Sequence, residues 1–334
     1  MNLAALTSWC DYGSGVINAH PQSFEQIKPE RATAAENRDR AARFPAMLIG
    51  QRSRHLIQPF RLHRPTREAE AVAIFSSSRG AASYMSGGVD LINRLKSGRD
   101  IDDIIYLGNI PDRKAINLSG DDLYLGAGVT HDTLAKSAVV SECLASLAET
   151  WSRVANPRIR LKGTIGGNLM ARDVSYDFPI VALALGATLE LEIAQAKTTL
   201  VDAENLADVG YSDLLKRIRI PDVKRKSLIL ELGWKPIIAF GLGFSHEGAY
   251  VTNIRLSVGS GFSSFQFSEI RLDTPVSQAS MRAGSVRFTE RLMTGLPSPT
   301  QDWNASAAYR HRLLTTLIRR KLAGFSRERI GFDG

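Results

Sequence analysis

Apolar and polar positions fall along this chain in blocks whose period changes several times, and the blocks set the expected elements. EAEAVAIF over 68–75 puts Ala69, Val72, Ala73 and Phe75 on one side at helical spacing, running into polar SSSRG. AASYM predicts a short strand leading into Gly87-Gly88, and Asp90 is placed to N-cap a helix over DLINRLKSG that Gly98 closes. IDDIIYLG and DDLYLGAGV read as strands separated by a polar turn. The clearest helical signal follows, with Val140, Cys143, Leu144, Leu147, Trp151 and Val154 recurring at three- and four-residue steps as one apolar face. FPIVALALGATLELEI predicts a buried helix and then a strand.

Beyond it the chain turns polar from Gln195 to Asp213, the expected inter-domain connection. In KPIIAFGLGF, residues Ile238, Phe240, Leu242 and Phe244 alternate; HEGA offers a turn, and Ile254, Leu256 and Val258 alternate on the return. That pattern predicts an antiparallel hairpin with one buried face. The last periodic block, Ala305 to Ala323, predicts a helix with Tyr309, Leu313, Leu317 and Ile318 on its apolar side and a basic face opposite. Residues 1–56 carry no strong period beyond an Ala/Arg-rich stretch, Ala32 to Arg43, and fit either a partner-binding arm or a start upstream of an initiator at Met47. The expected organisation is α+β: an extension over 1–56, a first domain over 57–210 and a smaller one over 211–325.

Composition narrows the function classes. The chain has 334 residues, 42 Lys and Arg against 34 Asp and Glu, and two cysteines, Cys10 and Cys143. A thiolate-held iron–sulfur cluster needs about four cysteines and a cysteine-rich zinc site about three, so this chain is expected to carry no metal centre of its own. No apolar run approaches the ~20 residues of a membrane span, and the start lacks the basic region of a secretory signal, so the expected location is the cytoplasm. The net charge of +8 invites a nucleic-acid reading. Its densest stretches, Arg52 to Arg67 and Arg310 to Arg329, lack the aromatic interleaving of a single-strand platform. They read instead as solvated faces or docking surfaces for an acidic partner.

Self-contained catalytic motifs are absent: no GxxxxGK[ST], HExxH, GxSxG or strand-linked GxGxxG occurs. The six histidines do not cluster, and His131 in VTHDTL is expected to be structural. Two glycine pairs remain, in SGGVD and TIGGN. Chance alone gives about two adjacent pairs at this glycine content, so context must carry the argument. Each pair lies between apolar segments and is followed by a short polar side chain, Asp90 or Asn168. Paired glycines let backbone N–H groups converge into an anion-binding nest suited to a pyrophosphate, with Thr164 and Asn168 adding a hydroxyl and an amide. Two tight turns without a ligand satisfy the same pattern.

Longer stretches fall in a recognisable order: FRLHRPTREAEAV, SGGVDLINRLKSG, LGAGVTHDTLAKS and IRLKGTIGGNLMARDVSYDFPIVALALGA, with DLLKRIRIP and ASAAYRHRLLTTLIRR matching more weakly. Together they resemble the FAD-binding, or medium, subunits of molybdenum hydroxylases of the xanthine dehydrogenase, carbon monoxide dehydrogenase and aldehyde oxidoreductase type. The resemblance implies a two-part FAD-binding domain of the vanillyl-alcohol-oxidase (PCMH) type and a small α+β carboxy-terminal domain. It implies that Ser86, Gly87, Gly88, Val89 and Asp90 form one wall of the FAD diphosphate site, that Thr164, Ile165, Gly166, Gly167 and Asn168 form the other, and that Asp177 is an acidic FAD contact.

No catalytic side chain is implied on this chain. Molybdopterin and 2Fe-2S clusters would sit on a large and a small partner subunit, and electrons would pass through FAD to NAD, a quinone or oxygen. The chain departs from the family at Val89, where a small polar residue is usual, and at Leu161, where Asn commonly follows the Ile-Arg pair. It also reads Glu231 and Lys235 where Lys and Arg are common near the flavin. A stand-alone flavin oxidoreductase and a flavin-free assembly subunit are the alternatives.

Overall fold

The computed structural model describes residues 57–193 and 197–326; the expected extension over 1–56, with Cys10, lies outside the described residues. Three sheets organise the described chain. The first is parallel, in the order β1 (Arg61–His63), β3 (Asp103–Tyr106), β2 (Ala82–Met85). Parallel neighbours need crossovers, which here are α1 (Glu68–Ser77) and α2 (Val89–Lys96). Alternation along β3 separates the two helices: Ile105 packs with Ala71 and Val72 of α1, and Ile104 with Leu91 and Leu95 of α2. Asp103 fastens β1 to β3. Its carboxylate is buried and accepts from Arg61 Nε at 2.7 Å and Nη2 at 2.6 Å, with His63 Nε2 at 2.7 Å.

The second sheet has five antiparallel strands ordered β4 (Ile116–Ser119), β5 (Asp122–Gly126), β8 (Leu214–Ile220), β6 (Thr188–Ile193), β7 (Lys197–Asp202). Its apolar face is covered by α3 (His131–Ala135), α4 (Ala138–Cys143), α5 (Ala145–Trp151), α7 (Ile165–Met170) and α8 (Phe178–Ala184), which share one core with it, while the short α6 (Pro157–Lys162) leads into α7.

Three expectations change here. The helix read from Val140 to Val154 is two helices, because Leu144 leaves helical geometry at φ −154°, ψ 62°. All six of its apolar residues are nonetheless buried. IDDIIYLG and DDLYLGAGV do not lie side by side across a turn; β3 and β5 belong to different sheets, and β4, hairpinned to β5 through Gly120, lies between them in sequence. The polar stretch 195–213 is not a free connection either. It holds β7, polar because it is an edge strand exposed on alternate residues, and β8 directly after it pairs with both β5 and β6. A cut at 210/211 would take the central strand out of its sheet.

The third sheet runs β12 (Gln266–Val276), β11 (Tyr250–Val258), β10 (Phe240–Glu247), β9 (Lys226–Glu231), all antiparallel. The β10–β11 hairpin is the one expected, turning at Gly248, whose φ of +56° suits glycine. Helices α9 (Gln278–Ala283), α10 (Ser285–Thr294) and α11 (Ala307–Ala323) close a second core on this sheet. The faces of α11 differ from expectation: Tyr309 is exposed, whereas Arg310 is buried against Asp302 Oδ1 at 2.7 Å and the Thr300 carbonyl at 3.0 Å.

The two large cores meet at α8, every residue of which is buried. Ser257 Oγ donates to the Ile180 carbonyl at 2.6 Å, and a Cβ on Gly243 would stand 1.8 Å from the Ala184 carbonyl oxygen. Arg255 closes the seam by donating to the Leu183 carbonyl and pairing with Glu204 and Glu269 while lying over the Phe267 ring. Among the described residues no helix is long and apolar enough to cross a membrane.

Candidate functional site

The site lies where the parallel sheet faces the five-stranded one, and each half contributes one glycine loop. The first loop, Ser86–Asp90, leaves the end of β2 and starts α2. Gly88 is the N-cap residue at φ +74°, a conformation that glycine adopts without a Cβ penalty. No side chain caps α2, and among the described residues the amides of Val89, Asp90 and Leu91 make no hydrogen bond. They are a helix's unsatisfied first donors, carrying its positive end toward the cleft. Asp90 is not the cap that was expected. Its carboxylate pairs with Arg94 Nε at 2.6 Å and accepts from the Tyr176 hydroxyl at 2.8 Å. Burial and this bond hold the Tyr176 phenol well above its ordinary range. Arg94 also donates to the Ala171 carbonyl at 3.1 Å, so the Asp90–Arg94 pair ties α2 to the segment that follows the second loop.

The second loop runs from Gly163 to Asn168 and opens α7. Its amides are already engaged. Ile165 N donates to the Val129 carbonyl at 2.9 Å and Gly166 N to that of Ala127 at 3.0 Å. Gly167 N bonds Thr164 Oγ1 at 3.1 Å, and Asn168 N bonds the Thr164 carbonyl at 2.9 Å. The expected nest of converging N–H groups is therefore not formed here. The glycines serve close approach instead. A Cβ on Gly166 would stand 2.5 Å from the Ala127 carbonyl oxygen, and one on Gly87 would stand 1.7 Å from that of Lys162. The two loops are pressed backbone to backbone.

Together they enclose a cleft of about 240 Å³. Ser86, Gly87, Gly88, Val89, Asp90, Thr164, Gly166, Gly167 and Asn168 line it. Ile165 and Asp177 do not; Ile165 is in the core. Asp177 is buried and ion-paired with Lys235, which also donates to the Ser175 carbonyl at 2.7 Å. Burial raises the Asp177 carboxyl against the opposing pull of the lysine. Asn168 Oδ1 accepts from Phe178 N at 2.9 Å, leaving its NH₂ group for a ligand.

Sequence reasoning missed Tyr84, Arg94, Arg113, Tyr176 and Tyr211, all of which line the cleft. Arg94 had a signal, four residues from Asp90, and Tyr176 lies inside the quoted second-loop run. Arg113 had none: its partner Glu68, at 3.0 Å, is 45 residues away. His131 has the structural role expected, since its Nδ1 accepts from Trp151 Nε1 at 3.1 Å and burial lowers it to about 4. Burial likewise pushes the Cys143 thiol up to about 11.

Residues 58–223 match the FAD-binding domain found in molybdopterin dehydrogenases. Through them, the chain belongs to that family. The nicotine 6-hydroxylase medium subunit of Paenarthrobacter nicotinovorans is 26% identical over 238 residues, 66% of this chain and 80% of that one. The carbon monoxide dehydrogenase medium chain of Afipia carboxidovorans is 32% identical over 169 residues, 48% of this chain and 58% of that one. Among solved structures, quinoline 2-oxidoreductase from Pseudomonas putida 86 superposes with a TM-score of 0.72 at 21% identity, over 83% of this chain and all of that one, a likeness of fold. The FAD of the family fits the residues present: an uncapped helix start suits a diphosphate, Gly87 keeps a Cβ out of the contact between the two loops, and Gly166 lets the second loop seat against Ala127.

Proposed function

We propose that this chain is the FAD-binding electron-transfer subunit of a molybdenum-containing hydroxylase or dehydrogenase. It receives electrons from the iron–sulfur clusters of a small partner, which a molybdopterin-bearing large partner feeds, and passes them to NAD, a quinone or oxygen. FAD supplies the redox chemistry when bound. The chain's own residues bind and orient it. Gly88 starts α2, whose free amides at Val89, Asp90 and Leu91 present its positive end to the diphosphate. Thr164 and the Asn168 NH₂ group face it from the second loop, where Gly166 and Gly167 allow close approach and Ile165 anchors the turn in the core. Ser86 and Gly87 set the spacing between the loops. Asp177 acts at one remove in this reading, holding with Lys235 the segment that carries Tyr176. The single observation that carries the proposal is the bare start of α2 pressed, through Gly87, against the second loop of a family FAD domain.

The test is the visible spectrum of the purified chain, followed by flavin reduction with and without the two partner subunits. Flavin absorbance, with reduction by the organic or inorganic substrate only in the complete complex, is the expected result. A yellow chain with dehydrogenase activity by itself would be a stand-alone oxidoreductase. A colourless chain that still joins its partners would be an assembly subunit.

A further inference from the structure

The turn before α11 presents an indole to solvent on a backbone held by several hydrogen bonds. Trp303 is 91% exposed. Arg310, buried on α11, donates to the Thr300 carbonyl and hydroxyl at 3.0 and 2.9 Å and to Asp302 Oδ1 at 2.7 Å. The same carboxylate oxygen accepts from Asn304 N at 2.9 Å and Ala305 N at 3.2 Å, and the arginine beside it lowers the Asp302 carboxyl to about 2. Thr300 N in turn bonds the Gly261 carbonyl at 2.8 Å. Thr300 and Asp302 are thus tied to the helix, Thr300 also to the loop between β11 and β12, and Asn304 and Ala305 are tied to Asp302.

The loop that Thr300 bonds also packs on the segment that follows the second glycine loop. A Cβ on Gly259 would stand 2.8 Å from the carbonyl oxygen of Val174, which lies between Asn168 and Asp177. The surroundings are cationic. Residues 277–326 hold eight Lys and Arg against two acids, +6 of the chain's formal +8. Two of the eight are neutralised, Arg310 by Asp302 and Lys321 by Glu231 at 2.8 Å. The other six, Arg282, Arg287, Arg291, Arg312, Arg319 and Arg320, are exposed and make no ion pair among the described residues. On α11 the exposed residues Tyr309, Arg312, Arg319 and Arg320 fall at helical spacing on the side opposite the buried Leu314 and Ile318.

We propose that the Trp303 turn and the exposed stripe of α11 are the docking surface for an acidic protein partner, with the indole as its apolar anchor. An exposed tryptophan on a hydrogen-bonded turn that leads into a helix carrying an exposed arginine stripe brings together residue types enriched at interface hot spots, and unpaired arginines steer and orient an acidic surface. This rests on the reading of the chain as one subunit of a complex.

The test uses the chain co-expressed with its iron–sulfur and molybdopterin subunits. Trp303→Ala is expected to weaken the complex at least tenfold while flavin absorbance stays at the wild-type level. Arg312→Glu with Arg319→Glu is expected to weaken it similarly and to flatten its salt dependence; that pair carries the test should Trp303→Ala lower the melting temperature. Unchanged affinity in both variants overturns the proposal, as does a Trp303→Ala variant that dissolves a homodimer and leaves the mixed complex intact. A colourless chain that still loses its partners on Trp303→Ala refutes flavin binding and keeps the docking surface.

Discussion

Gly87→Ala isolates the contact that makes the site. An added Cβ would stand 1.7 Å from the Lys162 carbonyl oxygen, 2.7 Å from its carbon and 3.3 Å from Gly163 Cα. All three neighbours are backbone, so no side chain can turn aside. Ordinary carbon–oxygen contact begins near ~3.3 Å, and the loops must therefore separate by about 1.6 Å. Overpacking of this kind costs about 1–3 kcal/mol. If ~2 kcal/mol falls on the geometry that holds the cofactor, flavin binding weakens roughly 30-fold.

The assay pairs urea unfolding with flavin content per chain. Gly98→Ala is the control, because Gly98 has φ +90° but nothing within 4 Å. It should lose about 1 kcal/mol of stability to backbone strain and keep its flavin. A Gly87→Ala chain with wild-type flavin content would refute the argument that the loops must touch.

Other outcomes follow from the same geometry. Thr164→Val removes the acceptor for Gly167 N and should cost about 1 kcal/mol, with Thr164→Ser restoring most of it in urea unfolding. His131 sits at about 4 in the fold and 6.5 when unfolded, so the unfolded chain binds the extra proton between those values. Stability should fall as pH drops from 6.5 toward 4, by at most about 3 kcal/mol, and a His131→Asn variant should lose that part of the slope. For the Asp177–Lys235 pair, removing the lysine leaves a buried carboxylate alone. Lys235→Met should therefore cost about 3 kcal/mol, and Asp177→Asn clearly less, in equilibrium unfolding.

Periodicity found the cores more reliably than the element ends. The apolar steps from Val140 to Val154 mark buried residues, yet they hide the break at Leu144, because that residue is buried in its non-helical conformation too and neither Gly nor Pro announces the change. Edge strands β4 and β7 were illegible for the opposite reason: most of each faces water, so one read as a turn and the other as a connection. Arg310 looked like part of a basic face because the residues that bury it, Thr300 and Asp302, sit in what reads as polar loop. The glycine pairs were legible as a site through their flanks. Their contact through Gly87 and Lys162 was not, since it spans 75 residues and leaves no periodic trace.

The two glycine loops, alike in sequence, differ in what they have left to give. Every amide from Ile165 to Asn168 is already bonded, whereas those of Val89, Asp90 and Leu91 are not. Negative charge on a ligand is thus drawn to the start of α2, and the second loop contributes shape, one hydroxyl and one amide side chain. That asymmetry explains which departures from the family matter. At position 89 the donor is the backbone N–H, which valine retains, so a lost polar side chain there removes little. Leu161 is 58% exposed on the short helix before the second loop and does not line the cleft. Gly87 and Asp90 are different: one sets how closely the walls approach, and the other ties them together through Arg94 and Tyr176. In the proposed reading, flavin binding at this site rests on these two residues more than on the polar ones around them.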